Sequence, residues 1–210
     1  YQANGTLGRI IFDGEKEKIL IDFVFPPDIA RTKYFLVEDG NNDREEEVVW
    51  LLSLRRDRRI GNANEGLLQG SHYFFYDLLE HIDEFDYSLI RSRENIFTIL
   101  AEAKTIAKVY GQLLIKVEEI APDVFVYREI VFYDKKGEAW KKETYHDFFN
   151  VWATYFRPDK ITMLDLRTAK KTVLKFSNWE IRPLTKRDFP IFQRNFLKRE
   201  ENIPPNKCIE

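Results

Sequence analysis

Residues 95–109 read NIFTILAEAKTIAKV, and two conformations compete for them. On a helix, Ile99, Ala103, Ile106, Tyr110, Leu113, Val117 and Ile120 fall at alternating spacings of four and three. That is one apolar stripe. Lys104, Lys108, Gln112, Lys116 and Glu119 take the opposite arc. Ser92 supplies a cap, Glu94 an acid in the first turn, and Pro122 a stop. On a strand, the same residues carry a different message. Spacing by two puts Glu102 and Lys104 on one side of the chain, whereas a helix separates them by about 200°. The helix accounts for far more of the sequence, so the spacing predicts a long amphipathic helix over about 93–121.

The strand alternative has a chemical reading. Asp86, followed by Glu102 and Lys104 and then Gln112, resembles the motif of PD-(D/E)xK nucleases. That resemblance implies acids holding Mg²⁺ or Mn²⁺ and a lysine positioning the attacking water. The three residues are catalytic candidates under that reading alone; otherwise no cofactor and no metal site is expected. His72, His81 and His146 have no partner at zinc-ligand spacing.

Upstream, residues 1–66 alternate short apolar, β-branched runs with turn signals such as DGEKE, PPD and DGNND. They predict four to five strands. GRIIFDGEKEKILI (8–21), PPDIARTKYFLVE (26–38) and EEEVVWLLSLRRDRRIGNANEG (45–66) resemble successive strands of a cold-shock or OB-type barrel. The resemblance implies aromatics that stack on bases, here Phe12, Tyr34 and Phe35, beside basic residues that follow the backbone. Arg55, Arg56, Arg58 and Arg59 form the densest cationic cluster and suit phosphates.

Downstream, VFVYREIVFYD and EAWKKETY flank DKKG, and KITMLDLR and TVLKFSNWEI flank TAKK. Both read as hairpins. The second half of 67–83, then 146–156 and 185–202, read as short helices. The fold class expected is α+β: an N-terminal barrel-like module over 1–66, and an α+β module over 67–210 built on the long helix.

Aromatics are abundant, with 17 Phe, 10 Tyr and 4 Trp, which favours β-structure. The formal net charge of -2 provides no global field for nucleic acid, so binding would be local. Cys208 stands alone, which fits an intracellular setting. No apolar run approaches membrane-span length, and no membrane partner is expected. The chain lacks an initiating Met and reads as part of something longer. Three functions compete. The first is a module binding single-stranded nucleic acid through the arginine patch. The second is a protein-interaction scaffold using the aromatic helices, and the third is the nuclease.

Overall fold

The computed structural model describes residues 7–13, 18–25, 27, 32–37, 46–51, 56–59, 67–68, 71–74, 76–78, 81–152 and 155–177. The chain divides into two compact units, Tyr1–Ala63 with Pro183–Glu210 and Asn64–Arg182. The first carries β1 (Leu7–Asp13), β2 (Lys18–Phe25), β3 (Lys33–Val37), β4 (Glu46–Leu51) and β5 (Arg56–Arg59), in the order β1-β2-β3-β4-β5. The second carries β6 (Phe85–Arg93), β7 (Ile96–Ala103), β8 (Gln112–Ala121), β9 (Val124–Tyr133), β10 (Ala139–Trp152), β11 (Tyr155–Asp165) and β12 (Lys171–Lys175). These seven also run in strict sequence order. Every pairing in both sheets is antiparallel.

The strands expected over 1–66 form, but as an open meander. An OB-type barrel is a Greek key, and no Greek-key pairing occurs among the described residues. In the first unit Asp22 opposes Lys33 across β2 and β3. Both are buried, so opposite charges meet where either alone would be costly.

No α-helix occurs among the described residues, which overturns the α+β expectation. The expected helix over 93–121 is instead the hairpin β7–β8, joined by a loop through residues 104–111. Its apolar residues fall on both faces of the sheet, because Ile99 pairs with Ile115 on one side and Leu100 with Leu114 on the other. Of the residues 146–156 expected as a helix, 146–152 and 155–156 are extended, within β10 and β11. The helical half of 67–83 reduces to 3-10 turns at Tyr76–Leu78 and Ile82–Glu84. There Ser71 and Asp77 accept the Tyr73 and Phe74 amides, and such local bonds compete with a helix. The helix expected over 185–202 lies outside the described residues. Both expected hairpins are present, as β9–β10 and β11–β12.

Gly111 brings the end of the 104–111 loop against the backbone at the end of β9. Its amide donates to Tyr133 O at 3.0 Å. A Cβ at this position would meet Asp134 O at 2.7 Å and Lys135 Cα at 2.9 Å, both backbone atoms. Gly111→Ala is expected to destabilise by about 1–3 kcal/mol. Gly137 has φ +83° but open space around it, so Gly137→Ala should cost about 1 kcal/mol. Urea unfolding of the two variants checks the order; a larger loss at Gly137 would refute the clash.

Strand alternation gives the seven-stranded sheet two distinct faces. The register places Phe85, Tyr87, Ala101, Ile115, Phe132, Lys141, Glu143 and Met163 on one, which we call the aromatic face. The other carries Glu102, Lys116, Glu129 and Lys142. There Lys116 and Lys142 reach Glu129 at 2.7 and 3.2 Å. Burial pulls the Glu129 carboxyl up, but the two ammonium groups outweigh it and hold it below its ordinary range. Charged lysines on the short β12 suit a strand at a sheet edge.

Candidate functional site

Among the described residues, the aromatic face is covered at one end only. Residues 71–74, 76–78 and 81–84 lie over it there. His72 bonds Thr172 of β12 through its amide and its ring. The Phe74 ring meets Trp140 of β10 edge-on at 5.2 Å, and Glu84 O accepts the Lys104 amide just beyond β7. Beneath this strap lies a buried polar cluster. The Lys141 ammonium sits 3.0 Å from Asp77 and 3.2 Å from the centre of the Phe74 ring. Asp77 also accepts the Phe74 amide at 2.7 Å and the Tyr110 hydroxyl at 2.5 Å. Burial pushes the Lys141 amine down, and Asp77 opposes that shift.

Next to it on β10, Glu143 accepts the Tyr145 hydroxyl at 2.7 Å. Burial raises its carboxyl to about 7. The Tyr73 hydroxyl lies in the field of Glu143, yet among the described residues it has no partner at hydrogen-bonding geometry. Burial and that carboxylate push the Tyr73 and Tyr145 phenols upward. Nothing in sequence spacing flags this cluster, since Asp77 and Lys141 stand 64 residues apart.

The other end of the aromatic face is open. The register brings Tyr87 and Leu89 of β6, Phe97 of β7, Phe125 and Tyr127 of β9, and Phe149 of β10 to the same side. Phe97 and Phe125 meet edge-on at 5.7 Å, and Tyr127 lies 5.8 Å from Tyr145. Leu89 is 61% exposed, Phe125 52%, Tyr87 46%, Tyr127 41% and Phe149 37%. A monomer seldom leaves so many large apolar side chains together in water unless something binds them. This open end is the candidate site.

The residues singled out from the sequence fare differently. Asp86 and Glu102 do oppose each other across β6 and β7, and the Lys104 ammonium lies 3.5 Å from Asp86. All three are exposed, and no third acid joins them among the described residues. A surface lysine here offsets two like charges, and no metal cradle results. Tyr34 is buried and packs edge-on against Phe23 at 5.6 Å, so its ring belongs to a core and not to a base-stacking platform. Arg56, Arg58 and Arg59 lie on β5, backbone-paired with β4. Phe12 and Phe35 lie on β1 and β3. The side chains of these five, and all of Arg55, lie outside the described residues.

The whole fold has solved counterparts. A putative outer membrane lipoprotein-sorting protein domain from Vibrio parahaemolyticus superposes with TM-score 0.80 at 22% identity, covering 92% of this chain and 84% of its own. A DUF1329 family protein from Desulfovibrio piger gives 0.76 at 22%, covering 91% and 82%. A LolA superfamily protein from Nitrosomonas europaea gives 0.68 at 18%, covering 91% and 82%. At such identities the likeness establishes the fold. It overturns the OB-type and nuclease resemblances, and with them the nucleic-acid-binding function, the single-stranded partner and the intracellular setting drawn from Cys208. No curated protein matches the sequence. A family model described as "Uncharacterized protein" matches residues 15–199, well over half of the chain, and the chain belongs to that family.

Proposed function

We propose that this protein is a carrier that shelters lipid acyl chains, of the kind borne by lipoproteins, on the open end of its aromatic face. The observation that carries the reading is the set of exposed side chains Tyr87, Leu89, Phe125, Tyr127 and Phe149 on one side of one sheet. Burying a methylene against such a surface contributes roughly 0.8 kcal/mol, and flat rings with aliphatic neighbours offer an acyl chain contact along several carbons. The likeness to a lipoprotein-sorting domain supports the same substrate class and a setting outside the cytoplasm.

The reading predicts saturable binding of a dansyl-labelled fatty acid. Leu89→Asp combined with Phe125→Asp should weaken it at least tenfold, which is about 1.4 kcal/mol. Both residues are exposed, so the melting temperature should hardly move. Equal binding by the double variant and the wild type, or no binding by the wild type, rejects the carrier.

A further inference from the structure

The opposite face carries a second feature, at the free end of the β6–β7 hairpin. A groove of about 400 Å³ is lined by Arg91, Arg93, Glu94, Ile96, Thr98 and Lys116. The register explains how it forms. Arg91 pairs with Thr98, Arg93 with Ile96, and Thr98 in turn with Lys116. Two guanidinium groups two residues apart on one strand therefore flank a floor made by a threonine and an isoleucine, with an ammonium on the far side. Lys116 is committed to Glu129 at 2.7 Å. Arg91 and Arg93 are exposed, and no ion pair of theirs occurs among the described residues. Glu94 lines the same groove but pairs with neither arginine among the described residues, so two guanidinium groups stay available to an anion, and their forks match phosphate oxygens two at a time. The Thr98 hydroxyl adds a donor from the floor.

The surroundings identify the source of that phosphate. A register shift between Leu89 and Arg91 marks a bulge at Ile90. Ile90 and Ile96, beside the arginines, are 54% and 43% exposed. Greasy side chains next to cations on an edge hairpin suit an interface where phosphate and hydrocarbon lie within a few ångströms of each other. A soluble phosphate would need only the cations.

We propose that the Arg91–Arg93 groove binds the phosphate of an anionic phospholipid at a bilayer surface and docks the β6–β7 hairpin there. This surface lies on the other side of the sheet from the acyl-binding end and does not depend on it. The test is flotation of the full chain with vesicles of phosphatidylcholine alone or with 30% phosphatidylglycerol, about a threefold dilution of the anionic lipid. Binding should require the anionic lipid and fall with added salt. It should drop at least tenfold in Arg91→Gln with Arg93→Gln, and by less in Arg91→Lys with Arg93→Lys, which keeps the charges and loses the forks, with both variants retaining the wild-type circular dichroism spectrum. Equal flotation with neutral vesicles, or full binding by the glutamine variant, overturns the proposal. So does protection of the fold by millimolar inorganic phosphate without any vesicle binding, because the groove would then serve a soluble anion. Fatty-acid binding is measured separately, and its presence or absence leaves this outcome readable.

Discussion

Lys141→Ala is expected to cost about 3–5 kcal/mol, because it leaves the Asp77 carboxylate buried without its counter-charge. The two side chains are only 2% and 1% exposed. Asp77 is the tie point of three elements: the strap through the Phe74 amide, the 104–111 loop through the Tyr110 hydroxyl, and β10 through Lys141. Losing the ammonium also empties the space over the Phe74 ring, where it stands 3.2 Å from the centroid. At roughly 2–8 °C per kcal/mol for the domain sizes that bracket this unit, the midpoint should fall by about 6 °C or more. The charge itself can be separated from its packing. Lys141→Met with Asp77→Asn removes both charges, keeps an acceptor for the Phe74 amide, lets the new side-chain NH2 donate to the Tyr110 hydroxyl oxygen instead of accepting from it, and fills most of the lysine's volume. The double variant should recover at least half of the loss seen in Lys141→Ala, because the desolvation penalty of the ions disappears along with their attraction. Urea unfolding of the variants measures this. A double variant no more stable than Lys141→Ala would mean that the pair stabilises by its charges and not merely by mutual compensation.

What the sequence concealed follows from the same architecture. Local alternation was sufficient for β2 and for the β9–β10 hairpin, where Gly137 at φ +83° closes the turn. It failed over 93–121 because β7 and β8 carry apolar side chains on both faces: Ile99 and Leu100, Leu114 and Ile115. A strand covered on both sides loses its period of two, and a seven-residue coincidence then passes for a helix. Contrary signals were present. Gly111 sits in the middle of the supposed helix, and Ile96, Thr98, Ile99, Ile115 and Val117 are β-branched. The same failure over 146–156 hid the open end of the aromatic face, for Phe148 and Phe149 are sequence neighbours that point to opposite sides of β10. Phe148 lies under the Arg128 guanidinium and Phe149 toward water. Neither the candidate site nor the cluster behind it is a local motif. Each exists only once strands distant in sequence are paired.

Glu143 sets a pH dependence that the sequence gives no hint of. Its folded carboxyl titrates near 7 against an ordinary value of 4.5, with burial as the main cause and the Asp77 charge adding to it, while Tyr145, Tyr73 and Lys141 work in the other direction. The folded state thus holds a proton that the unfolded chain has already released. Stability from this group is fully present below pH 4.5 and is lost as pH rises through 7. The loss across that window is on the order of 3 kcal/mol. Glu143→Gln keeps a neutral, hydrogen-bonding side chain at every pH. It should therefore abolish this slope and be more stable than the wild type at pH 8, the gap narrowing toward pH 5. Urea midpoints at half-unit steps from pH 5 to 8 decide the matter. Parallel curves for the two proteins would show that Glu143 ionises in the folded state as readily as in the unfolded chain. The barrier to its ionisation would then not be the burial beneath residues 67–84, and Tyr145 would be stabilising a carboxylate instead of donating to an acid.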